Sequence, residues 1–246
     1  MLQLTENSKT KFSKTHKNTF GLLHGLPANG GTCVGATCRA GGCLDTRLGK
    51  KRKTCYVEKI TQIYKSVGDV LLRNTKQLED KTQEEMTVIL RESVQAFVKK
   101  SPADKLYFRL HWAGDFMNNN YVKAWSSVIK EFPNVRFWAY TRSFTKSINF
   151  ITPLLECTNL SLYLSCDPVN VEAAKQVYNI FKDKHNNLGL AWMGNTSPDP
   201  NIFRWVKCPE ITGKVKNTDE GGACSKCRLC VDRYKTRIKN IQFLIH

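Results

Sequence analysis

The spacing of apolar residues changes its period partway along the chain. Ile60, Ile63, Tyr64, Val67, Val70 and Leu71 recur at three and four, which predicts a helix. A second helix starts at a capping-box pair, Thr82 with Glu85. It carries Met86, Ile89, Leu90, Val94, Phe97 and Val98 on one face and stops before Pro102. Short apolar runs then alternate with helical spacing. Leu106–Trp112, Val135–Tyr140, Leu160–Ser165, Leu188–Met193 and Phe203–Val206 predict strands. Between them, three helices are predicted. One passes through Val122, Trp125, Val128, Ile129 and Phe132, and one through Phe144, Ile148, Ile151 and Leu155. The last carries Val171, Ala174, Val177, Tyr178 and Phe181.

Strand and helix in alternation argue an α/β fold with right-handed crossovers. The expected architecture is an open partial (β/α) barrel of about five or six mainly parallel strands, since a closed barrel needs eight. Thr19–Leu23 is a candidate first strand, weakened by Gly21. Residues 1–18 read as a flexible basic lead-in, 19–207 as the partial barrel and 208–246 as a cysteine-cluster segment. The chain's close, from Val231 to Ile245, reads as a helix or a final strand.

Charge adds a partner. The formal net charge is +17, an excess that favours nucleic acid over an anionic membrane surface. The run Lys50-Lys51-Arg52-Lys53 is the candidate phosphate track, with Arg228, Arg233, Lys235, Arg237 and Lys239 near the other end. A solvated lysine-rich face is the bland alternative. No apolar run approaches the ~20 residues of a membrane span. The N-terminus lacks a secretory apolar core, so the expected compartment is the cytoplasm.

Ten cysteines in a reducing compartment point to metal rather than disulfides. Cys224, Cys227 and Cys230 form a C-x2-C-x2-C run, and Cys208-Pro209 lies upstream. Gaps of two residues let thiolates wrap one face of a four-iron four-sulfur cluster. Zinc is the alternative, because four-cysteine zinc sites share the C-x2-C unit. Cys33, Cys38, Cys43 and Cys55 form a second set, in a glycine-rich loop of residues 33–55. Its place between a first strand and a first helix sets it over the carboxyl ends of the strands, where α/β sheets carry their sites. Three ligands there would leave one iron open to a substrate, whereas four would close the cluster.

The strand ends supply polar candidates. His111 and Asp115 follow the first strong strand, with Gly114 allowing close backbone approach. They are candidates for metal binding or, at His111, general base catalysis. A core histidine and a helix-capping aspartate are the structural alternative. Arg142 is a candidate for a bidentate phosphate or carboxylate contact. Tyr140 reads as packing sooner than as a nucleophile, and Cys166 as a buried structural thiol. Asn195 is a candidate for a polar pocket.

Several motifs carry a resemblance. Asn7-Ser8-Lys9-Thr10-Lys11, Leu26-Pro27-Ala28, Thr32-Cys33-x-Gly35-Ala36 and Cys55-Tyr56 resemble the phage gene product 88 family. So do Arg109-x-His111-x-x-Gly114-Asp115-Phe116 and Phe137-Trp138-Ala139-Tyr140-Thr141-Arg142, and the likeness continues through Cys208-Pro209 and the Cys224 run. That family is similar to radical S-adenosylmethionine proteins in its Cys-Tyr loop and α/β order. The resemblance implies one or two iron–sulfur clusters, S-adenosylmethionine received near Gly114, and a phage setting inside a host cell. The insertion Leu44–Thr54 looks longer than the family loop.

Three functions follow as expectations. The first is radical S-adenosylmethionine-like modification of nucleic acid or protein. The second is a metal-dependent nuclease or replication protein using His111, Asp115 and Tyr140, its clusters structural. The third is a non-catalytic nucleic-acid binder folded around metal.

Overall fold

The computed structural model describes residues 1–13, 16–25, 30–33, 55–199, 204–218, 221–232 and 240–244. The first predicted helix is two helices, α1 (Tyr56–Ile63) and α2 (Lys65–Lys76), because Tyr64 between them is extended. The capping box at Thr82 and Glu85 opens α3 (Gln83–Lys100), which ends before Pro102. A 3-10 turn, Ala103–Lys105, leads to β1 (Tyr107–Leu110). Then follow α4 (Asn119–Glu131), capped by Asn118, and β2 (Arg136–Thr141).

The helix expected through Phe144 and Leu155 shrinks to a 3-10 turn, Ser143–Thr145, and the single-turn α5 (Thr152–Leu155). Pro153 has no N–H to give to a preceding turn, so a helix cannot run through it from Phe144. Next come β3 (Leu160–Cys166), α6 (Val171–Phe181), β4 (Leu188–Met193) and β5 (Trp205–Lys207). The short α7 (Ala223–Cys227) and β6 (Asn240–Phe243) close the described chain.

The strands form one six-stranded sheet in the order β1-β2-β3-β4-β6-β5, with every pairing parallel. The last strand is therefore inserted between β4 and β5. Beside β1 the sheet continues through residues 18–22. Asn18 O accepts from Arg109 N, Phe20 O accepts from Trp112 N, and Leu22 N donates to Ala113 O. Among the described residues the sheet does not close on itself, as an open partial barrel requires.

Register decides which residues share a face. Phe108, Leu110, Phe137, Ala139, Leu160, Leu162, Leu164, Leu188 and Leu190 point one way. They pack against Met86, Leu90, Val94, Phe97, Val122, Trp125, Ile129, Ala174 and Tyr178 from α3, α4 and α6. Burying each such large side chain contributes about 1.5–3 kcal/mol, so this layer dominates the fold's stability. The other face carries Tyr107, Arg109, Trp138, Tyr140, Ser161, Tyr163 and Ala191. The cysteine-bearing C-terminal segment covers it. Cys208, Leu229, Cys230 and Val231 join the clusters around Tyr107, Trp138, Tyr163 and Ile241, and the Ser161 hydroxyl donates to Val231 O.

The lead-in expected to be flexible is packed where it is described. Leu2 is 1% exposed, its N–H donates to Ser93, and Thr5 N donates to Thr19 O. Asn18 holds Thr10 through two hydrogen bonds and also donates to Tyr107 O.

Candidate functional site

Two cavities carry cysteines, one against the sheet face that holds Trp138 and one at the carboxyl end of β2. The first, against that face, measures about 20 Å³. Cys208, Cys224, Cys227 and Cys230 all line it, with Trp138, Arg228 and Leu229. Cys208 follows β5 and is tied to β6, its N–H donating to Gln242 O. Cys224 and Cys227 stand on α7. Arg228, left-handed at φ 54°, ends that helix and turns the chain so that Cys230 comes back to the same cavity.

A clasp from the N-terminus holds this segment. Lys11 O accepts from Gly222 N and Lys9 O from Cys224 N, each at 2.7 Å. Lys9 Nζ pairs with Glu210 at 2.9 Å. Gly222 has to be glycine for this: a Cβ there would come within 2.4 Å of the Lys9 carbonyl. The Asn7–Lys11 motif thus has a structural task at the cysteine quartet. Burial pushes the Cys224 thiol up to about 11, and it raises Cys227 and Cys230 as well. Buried thiols of this kind give up their protons when a cationic centre replaces them. Four cysteines border one cavity, the donor type that iron–sulfur clusters use, but they do not come together as a site for a single zinc ion.

The second cavity, about 140 Å³, opens at the carboxyl ends of β1, β2 and β3. Cys33 and Cys55 line it, with His24, Gly114, Asp115, Tyr140, Arg142 and Ser165. Gly114 is left-handed at φ 78°, and a Cβ there would meet the Thr32 hydroxyl at 2.5 Å. Thr32 in turn accepts from Asp115 N, so this close approach fixes the cavity floor.

Asp115 is committed to backbone organisation. Its carboxylate accepts from Thr141 Oγ1 at 2.7 Å, Arg142 N at 2.7 Å and Phe116 N at 2.8 Å. Burial raises its pKa, and these donors pull the other way. Arg142 pairs with Asp167 at 2.8 Å, both side chains being largely buried. The pair ties the end of β2 to the end of β3.

His111 turns away from the cavity. Its ring packs edge-on against Phe20 and Phe116, and Nε2 is 2.8 Å from the Tyr121 hydroxyl. Burial, then the charge of Arg109, pushes its pKa down to about 3. It is a core imidazole at a left-handed position, φ 53°. Asn195 is exposed and does not line this cavity. Cys166 is a buried thiol facing Ala191 O, pushed up to about 12 chiefly by burial.

Cys38, Cys43 and the Lys50-Lys51-Arg52-Lys53 run lie outside the described residues. Among the described residues, no group of three or more His, Cys, Asp or Glu forms a site for a single metal ion. No helix there is long and apolar enough to cross a membrane. His24 and Ser165 are cavity residues that the sequence reading passed over. Ser165 had a signal, since Ser161, Tyr163 and Ser165 form a polar alternation along β3.

The gene product 88 family model matches residues 2–233. The Gene 88 protein of Mycobacterium phage L5 is 37% identical over 184 residues, covering 73% of this chain and 74% of that protein. The Gene 88 protein of Mycobacterium phage D29 is 36% identical over 191 residues, covering 75% and 76%. No solved structure matches. From the first turn of the clasp to the cysteine quartet, the chain belongs to the gene product 88 family.

Proposed function

We propose that this is an iron–sulfur protein that works on or beside nucleic acid, with Cys208, Cys224, Cys227 and Cys230 as the cluster ligands. One observation carries the reading: Cys208 and the Cys224–Cys230 run, two stretches of chain, bring four cysteines to a single cavity against the sheet. Bound there, a four-iron four-sulfur cluster would supply one-electron chemistry or a rigid staple. The chain's own part is to enclose the sulfurs, clasp them with residues 7–11 and exclude water.

The nucleic-acid partner rests on the net charge of +17. The test has two arms. Anaerobic purification with iron, sulfide and zinc analysis is expected to give about four irons per quartet, lost in Cys224→Ser and Cys230→Ser. A zinc-only protein overturns the cluster. Fluorescence anisotropy with a DNA duplex and a single strand is expected to show binding that weakens steeply with salt. Salt-independent binding, or none at low salt, overturns the partner.

A narrower reading is radical S-adenosylmethionine-type chemistry in the strand-end cavity. It is favoured by Cys33 and Cys55 facing Gly114 where the strands end. The reduced protein would then form methionine and deoxyadenosine, and neither product under strict anaerobiosis would exclude it. The nuclease alternative gains no support from His111, whose ring is enclosed by Phe20, Phe116 and Tyr121.

A further inference from the structure

A groove of about 720 Å³ shares no lining residue with either cysteine cavity. Phe12 and His16 reach it from the N-terminal segment, and Ala96 and Phe97 from the last turns of α3. Its wall is aromatic. The His16 and Phe12 rings lie 3.7 Å apart between centroids, and His16 packs on Phe97 at 5.6 Å. His16 is 5% exposed, and neither ring nitrogen has a hydrogen-bond partner among the described residues. The fold therefore makes no use of its polarity.

Lys17 and Lys100 line the same groove, and both are exposed. Nearby in sequence, Lys9 and Lys11 are held by Glu210 and Glu6. Lys17 and Lys100 form no ion pair among the described residues, and no carboxylate lines the groove there. The carboxyl end of a helix carries roughly half a negative charge. At the end of α3, Lys99 and Lys100 in the last turn, together with Lys17, outweigh it.

The volume falls within the ~300–1,000 Å³ of ligand-holding clefts. An aromatic wall beside unpaired cations suits a stacked base with its phosphates. A purely apolar ligand would leave the lysines unused, and a bare anion would leave the aromatic wall unused. A duplex keeps its bases stacked inside and could reach only the lysines. We propose that this groove binds single-stranded nucleic acid, an unstacked base resting against the wall of Phe12, His16 and Phe97 while Lys17 and Lys100 contact the flanking phosphates. This inference rests on the nucleic-acid reading above and is independent of the iron–sulfur cluster.

The experiment is fluorescence anisotropy of the full chain with labelled oligothymidine and with a duplex, over a salt series. The parent is expected to prefer the single strand. The double variant Lys17→Gln/Lys100→Gln should bind it about tenfold more weakly, and the slope of log affinity against log salt should flatten by about 1.4, two phosphate contacts at about 0.7 each. Ala96→Trp fills the groove and keeps every lysine, so affinity should fall at least about fivefold with the slope unchanged. Lys182→Gln/Lys184→Gln removes equal charge just after α6, outside the groove, and should bind as the parent does. Unchanged affinity in Lys17→Gln/Lys100→Gln or in Ala96→Trp overturns this inference alone. So does an equal loss in Lys182→Gln/Lys184→Gln, or a parent that prefers the duplex. A parent that binds neither nucleic acid at low salt overturns the partner and this inference together.

Discussion

His111 offers a direct test, because a core histidine and a site histidine answer acid differently. Its folded pKa is about 3, against about 6.5 for a free imidazole. The folded value is depressed, so His111 is neutral in the fold and charges only on unfolding. Its contribution is complete above pH 6.5 and is lost as pH falls toward 3. Below 6.5 the unfolded chain takes up a proton that the folded chain refuses. Between pH 7 and pH 5 that linkage removes about 2 kcal/mol. The substitution that isolates it is His111→Asn. Asparagine tolerates the left-handed φ of 53° and keeps a polar atom for the Tyr121 hydroxyl. The variant should be less stable at pH 7, where it leaves a partly filled aromatic cage. Its stability should also fall less steeply with acid, by about 2 kcal/mol over the same range. His16, buried and pushed down to about 4, drives the same acid loss in both proteins and cancels in the difference. Urea unfolding at a series of pH values measures it. Parallel pH curves for the two proteins would refute the buried-imidazole reasoning.

Other outcomes follow from the same geometry. Asp115→Ala strips the acceptor from Thr141, Arg142 N and Phe116 N. It should cost about 3 kcal/mol or more in urea unfolding, with Asp115→Asn milder because it keeps one acceptor oxygen. Gly222→Ala drives a methyl into the Lys9 carbonyl. It should free residues 7–11 for limited proteolysis and, on the proposed iron–sulfur reading, lower iron retention at the quartet. Thr82→Ala removes the capping-box acceptor of Glu85 N and should cost about 1 kcal/mol by thermal or urea unfolding, with metal content unchanged.

Much of the architecture was legible because it depends on local periodicity. The capping box of α3 is a relation within four residues, and Leu188–Met193 is bounded in the structure as its apolar run suggested. The cysteine quartet was legible as a set because Cys224, Cys227 and Cys230 are spaced by chain geometry alone. The chain's close was legible only as a helix or a final strand, and the structure makes it a strand, Asn240–Phe243. Asn240–Phe243 is a short stretch with polar Asn240 and Gln242, and its insertion between β4 and β5 depends on partners far away in sequence. The lead-in looked flexible because its lysines are many. Its order comes from single buried groups such as Leu2, Thr10 and Asn18, which composition does not weigh.

At the candidate site the division is sharper. By itself the sequence determined the α/β order, the sulfur-rich ends of the chain and the placing of polar residues at strand ends, since these follow from period and spacing. Only the tertiary structure decided what each polar residue does. His111 and Asp115 lie four positions apart, yet one turns into an aromatic core and the other is saturated by the backbone of the next strand. The reason is that a residue's chemistry depends on what is brought opposite it. Register sets Tyr140 against Tyr163, and the returning C-terminal segment sets Cys230 beside it. That juxtaposition joins the sheet to the end of the chain through partners far apart in sequence, which spacing alone does not reveal.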